Sequence, residues 1–103
     1  MKILIAQEDE LSRNLLRTTL GYWGNEVVVA SDGIRAWEEL GTPGAPRFAI
    51  LEKKLAGLDG MEICRNVRAR ASEDYTYLFL ATALGHAQEI TEGMQAGADD
   101  LTM

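Results

Sequence analysis

A chain of 103 residues, 47% apolar and 25% charged, is long enough for one folded domain and too evenly composed for a disordered segment. Sixteen acids against ten bases give a net charge of −6, which disfavours direct binding to nucleic-acid phosphates or to an anionic membrane. The single cysteine, Cys64, excludes an internal disulfide, and no stretch approaches the ~20 apolar residues of a membrane span.

The chain opens on "MKILIA", too short for the apolar region of a signal peptide, so a cytoplasmic location is expected. Residues 3–6 form a first apolar run that ends at Gln7, Glu8 and Asp9. Leu11, Leu15, Leu16 and Leu20 then recur at helical spacing, and Gly24 stands where that helix should stop. Asp9 lies at the helix start, where a carboxylate favours the N-terminal end of the dipole.

A second run, residues 27–30, precedes Asp32, a capping residue for a helix striped by Ile34, Trp37 and Leu40 and closed by Gly41. "GTPGAP", residues 41–46, is a loop on composition. The third run, residues 48–51, stops abruptly at Glu52, followed by Lys53 and Lys54. Asp59-Gly60-Met61-Glu62 matches a capping box, and Met61, Cys64 and Val67 stripe the next helix. Among them Cys64 reads as a small buried hydrophobe, while Arg65, Arg68 and Arg70 read as a solvated helix face. The fourth run, residues 78–81, ends at Thr82; Ala87, Ile90 and Met94 stripe a fourth helix, with His86 at its start, and residues 100–103 complete a short fifth strand.

The runs are nearly continuous rather than alternating, as in strands covered on both faces. Alternation of strand and helix predicts an α/β fold, a doubly wound parallel sheet of five strands read as one domain over residues 1–103. Ligands of such sheets bind beyond the carboxyl ends of the strands, where strand order reverses. If the order is 2-1-3-4-5, then Gln7, Glu8, Asp9, Glu52 and Thr82 converge on one shallow pocket.

At these residues the sequence resembles the receiver domains of two-component response regulators. "MKILIAQEDELSRNLL" is similar to their acidic opening segment, "FAILEKKLAGLDGMEICRNVR" to the phosphoacceptor strand and third helix, "LFLATA" to the Thr/Ser strand and "EGMQAGADD" to the end of the fourth helix. The resemblance implies a CheY-like, flavodoxin-like fold of order 2-1-3-4-5. It implies a phosphorelay role in which a histidine kinase phosphorylates an aspartate after the third strand, with Mg²⁺ between that aspartate and an acidic pair after the first. A divalent cation and a cationic side chain are needed there because a carboxylate attacking phosphorus concentrates negative charge.

Carried onto this chain, the resemblance places Glu52 at the phosphoacceptor position, Thr82 at the phosphoryl-contacting hydroxyl, and Gln7 and Glu8 at the acidic pair. Glu8, Glu52 and the backbone carbonyl of Lys54 would be the metal ligands. Gln7 removes a negative charge, so Mg²⁺ binding is expected to be weak or absent. Glu52 carries its carboxylate about 1.5 Å beyond an aspartate's, and displacement near 1 Å can cost ~10²-fold in an aligned reaction. It also resembles a phosphorylated aspartate in part, with a charge of −1 against about −1.5 to −2 for phosphate. One of Lys53 and Lys54 can place an ammonium over Glu8 and Glu52, or both can be solvated. Ala56 stands near a loop position where the family often has proline, and Leu101 replaces an aromatic residue. The chain stops before the family's lysine after the fifth strand and before its fifth helix, so the resemblance implies a domain truncated at its C-terminal side.

The leading expectation is therefore a phosphorylation-impaired or pseudo-receiver form, not an enzyme, that acts by protein–protein interaction with a histidine kinase or a downstream output domain. A working phosphoacceptor that uses Glu52, capable at most of impaired autophosphorylation from a phosphodonor, is the alternative. A flavodoxin-like cofactor binder is weaker, because "AQEDELS" sets carboxylates where an anionic cofactor would lie. Self-association through an uncovered sheet face is also expected.

Overall fold

The structure, a computed structural model, describes residues 1–70, 72, 74–82 and 87–102. His86, expected at a helix start, lies outside the described residues. The elements run β1 (Lys2–Ala6), α1 (Glu10–Tyr22), β2 (Glu26–Ala30), α2 (Gly33–Leu40), β3 (Phe48–Glu52), α3 (Gly60–Ala69), β4 (Tyr77–Ala81), α4 (Ala87–Ala96) and β5 (Asp100–Thr102). All strand pairs are parallel and the order is β2-β1-β3-β4-β5, as expected. No helix follows β5 among the described residues, and none is long and apolar enough to cross a membrane.

Strand alternation divides the apolar residues between the two faces. Leu4, Ala6, Ala49, Leu51, Leu78 and Leu80 join Ala36, Leu40, Met61, Ile63, Cys64, Val67 and Ala96 in one core beneath α2, α3 and α4. On the opposite face Ile3 and Ile5 are buried, while Phe48, Ile50 and Phe79 stay half-buried and Tyr77 exposed. There α1 packs on β1 and β2, and the Phe48 and Tyr77 rings stack at 5.1 Å.

The caps follow the sequence. Asp9, Asp32 and Asp59 accept from the backbone N–H groups of Ser12 (2.9 Å), Arg35 (2.7 Å) and Glu62 (2.8 Å), each taking up a helix-end donor. Gly24 ends α1 at a φ of 87°, but Gly41 closes α2 at −97°, an ordinary right-handed conformation, so glycine is not required there by backbone sterics.

The helical stripes are where the expected faces need correction. In α1, Leu11 and Leu15 are 78% and 67% exposed, and Leu16 and Leu20 are half-buried. In α4, Ile90 and Met94 are exposed and the buried residues are Gly93 and Ala96. The face of α4 at Gly93 is closely packed: a Cβ there would lie 2.9 Å from Leu101 Cδ2 and 3.1 Å from Leu80 Cδ2, so a larger residue would have to displace those leucine side chains. Leu101 thus packs as an aliphatic residue against the core.

The arginines of α3 and of its C-terminal cap, Arg70, are tethers as well as a solvated face. Arg65 is exposed, but Arg68 donates from Nε to Gly97 O at 2.9 Å, from Nη1 to Thr76 O at 2.8 Å and from Nη2 to Asp99 at 2.7 Å. Asp99 also accepts from the Leu78 N–H and from the Tyr75 hydroxyl. This fork ties α3 to the segments that flank β4 and to the turn before β5. Arg70 donates to Leu40 O at 2.7 Å. Cys64 is fully buried and its thiol is pushed up to about 11 by desolvation.

Candidate functional site

β1, β3 and β4 are neighbours, so their carboxyl ends deliver Gln7, Glu52 and Thr82 to the same edge of the sheet. All three line one cavity of about 670 Å³, walled further by Lys53, Lys54 and Glu89. Glu52 is the last residue of β3, opposite Ala81 in register, and is half-buried. Burial pushes its carboxyl above the ordinary carboxylate value; the negative charges of Glu8 and Asp9 push the same way, and the Glu8 backbone N–H offsets part. Thr82 is 6% exposed; its N–H donates to Thr102 O at 2.9 Å, and its hydroxyl lies 3.5 Å from the same oxygen.

The residues that follow the first strand each have different surroundings. Gln7 enters the pocket, and its Oε1 is buried with no hydrogen-bond partner among the described residues. Glu8 turns aside: its Oε1 accepts from the Ala56 N–H at 2.6 Å. Asp9 is the α1 cap, holding both the N–H and the hydroxyl of Ser12, and those bonds keep its carboxyl below the usual range. Its helix-start role is therefore the one realised.

The β3–α3 loop, residues 53–59, is fixed by backbone bonds. Lys53 N–H donates to Ala81 O at 2.7 Å, and Gly60 N–H to Lys53 O at 2.8 Å. A side chain at Gly60 would collide with the Glu52 carbonyl, so glycine there lets α3 begin against the end of β3. Lys54 is exposed. The Lys53 ammonium pairs with Glu89 of α4 at 3.2 Å, the partner it takes in place of the Glu8 and Glu52 carboxylates considered from sequence. Glu89 was missed by sequence reasoning, because a single acid on an amphipathic helix carries no signal of which neighbour it will meet.

The donor set is poorer than the one the resemblance implies for a magnesium ion. Mg²⁺ requires near-octahedral oxygen ligands, commonly with one or two carboxylates. Here one oxygen of the Glu8 carboxylate is engaged by the Ala56 N–H, and the first acidic position is a neutral amide. Among the described residues no group of three or more His, Cys, Asp or Glu is placed to hold a metal. The buried Gln7 Oε1 supplies one acceptor of the several such an ion would need.

Comparison with known proteins places this geometry. The family model described as the response regulator receiver domain matches residues 3–102. Response regulator MprA of Mycobacterium avium (strain 104) is 35% identical over 100 residues, and that of Mycobacterium leprae (strain TN) 36%. The match covers 97% of this chain but 42% of either relative, so the chain spans less than half the length of the curated proteins it resembles. Among solved structures, the BeF3-activated N-terminal receiver domain of Klebsiella pneumoniae RstA superposes with a TM-score of 0.86 at 29% identity, covering 98% of this chain and 83% of that one. Chemotaxis protein CheY4 of Vibrio cholerae gives 0.88 at 22% identity, covering 99% and 84%, a likeness of fold alone. By family model, sequence and fold, the chain belongs to the receiver domains of two-component response regulators.

Proposed function

We propose that this receiver domain accepts phosphate poorly and works as a pseudo-receiver, a cytoplasmic module that signals through contact with a histidine kinase or an output domain. The observation that carries the reading is the Glu8–Ala56 bond beside a neutral Gln7: it leaves Glu52 as the one carboxylate of the expected metal set that lines the pocket. Glu52 is in turn longer than an aspartate and partly desolvated, so its alignment with a phosphodonor and its ionisation are both less favourable. Mg²⁺ binding is weak or absent on this reading, and the domain has no enzymatic activity of its own.

Glu52 and Thr82 do share one cavity, which supports the second reading, a working acceptor at Glu52. The family match leaves the flavodoxin-like cofactor binder without support. Titration calorimetry separates the first two readings. The triple variant Gln7→Asp, Glu8→Asp, Glu52→Asp is expected to bind Mg²⁺ at concentrations where the parent gives no heat; a parent that binds as tightly as the variant would contradict the proposal.

A further inference from the structure

Lys53, Lys54, Leu55 and Asp59 of the β3–α3 loop line the pocket, and Ala56 of the same loop is the residue through which three segments meet. Its carbonyl accepts from the Gly33 N–H at 2.9 Å and from the Leu58 N–H at 3.1 Å, while its own N–H donates to Glu8 Oε1 at 2.6 Å. Gly33 belongs to the first turn of α2, and any side chain there would strike the Leu58 carbonyl. Glycine at 33 therefore lets α2 close on the loop from one side, and Glu8 holds it from the other. The two ends of the Glu8–Ala56 bond are 48 residues apart in the chain.

We infer that Glu8 is a positioning residue, whose carboxylate anchors the β3–α3 loop through the Ala56 amide and so fixes the wall of the pocket without a metal ion. Side-chain length and backbone hydrogen are two halves of one device. An aspartate at position 8 would stop about 1.5 Å short, too far for a hydrogen bond to an amide that now sits at 2.6 Å. A proline at position 56 would have no N–H to offer. A carboxylate accepting from a backbone N–H is among the stronger hydrogen bonds, and at this distance its geometry is that of a charge-assisted bond.

The inference extends the proposed function, but it does not depend on whether Glu52 takes a phosphoryl group. Its test is amide hydrogen exchange at Ala56, followed by NMR on the full chain in the parent, Glu8→Gln, Glu8→Asp and Glu8→Ala. Glutamine keeps an acceptor oxygen at the same reach, so it is expected to retain most of the protection. In Glu8→Asp and Glu8→Ala the Ala56 amide should exchange about tenfold faster or more, as for an amide that has lost its acceptor. Ala56→Pro should be no less stable in a Glu8→Ala background than alone, because the bond is already gone; if Ala56→Pro fails to fold, the Glu8 series decides. Equal protection in parent and Glu8→Ala, or failure of Glu8→Gln to restore it, would overturn the inference. A phosphoryl adduct at Glu52 with Ala56 still protected by Glu8 would defeat the proposed function and leave this inference standing.

Discussion

Lys53 and Glu89 are joined by a 3.2 Å ion pair that links the β3–α3 loop to α4 across the cavity lined by Glu52 and Thr82. Their side chains are 31% and 20% exposed, so the pair is neither a solvated surface contact nor a buried one. Its net worth is expected at about 0.5–1 kcal/mol, near the upper range of exposed pairs. A double-mutant cycle of Lys53→Met and Glu89→Gln in urea denaturation should return a coupling of that size, reduced in 1 M salt by screening. Zero coupling at low salt would mean that the pair does not hold α4 to the loop.

Cys64 gives a pH prediction with a definite sign. Desolvation raises its thiol from an ordinary value of 9.0 to about 11, so the folded chain holds the proton more tightly than the unfolded one. That contribution is fully present below the unfolded value and is lost as pH rises from about 9 to about 11, on the order of 3 kcal/mol at its largest. Relative to Cys64→Ala, the parent should lose stability across that window, measured by denaturant unfolding at each pH. A parallel course for the two proteins would place the folded thiol near its ordinary value.

The sheet face that carries Phe48, Ile50, Tyr77 and Phe79 supports a prediction about assembly. Its half-buried aromatic residues sit beside an α1 whose Leu11, Leu15 and Tyr22 are exposed, and apolar surface of this kind marks interfaces. A second copy of the chain is the expected cover. Light scattering on a size-exclusion column should give more than the 11.3 kDa of one chain at micromolar concentration, and Phe79→Lys should shift it toward that mass. A parent that elutes as a monomer and binds no hydrophobic dye would rule this out.

The residues that were legible from sequence are those whose roles are local. The apolar runs end within one residue of the observed strands, and the caps are legible too: Asp59 from its capping box, Asp32 from its residue type before a helical stripe, and Asp9 from its place at a helix start. The gathering of Gln7, Glu52 and Thr82 required the strand order, which came from family resemblance and not from periodicity. The apolar spacing of Ala87, Ile90 and Met94 does not mark the buried face of α4, which is formed by Gly93 and Ala96, with Gly93 close against Leu80 and Leu101. Glu8–Ala56, Lys53–Glu89 and Arg68–Asp99 were not legible, since each joins separate elements and none leaves a pattern along the chain.

Whether Glu52 is a poor phosphoacceptor is read from intact mass after incubation with Mg²⁺ and acetyl phosphate. The acid-quenched parent is expected to show the unmodified mass, because the nucleophile is displaced, one carboxylate is engaged by Ala56 and Gln7 brings no charge. A species heavier by one phosphoryl group, mapped by fragmentation to Glu52 and absent in Glu52→Gln, would contradict the account.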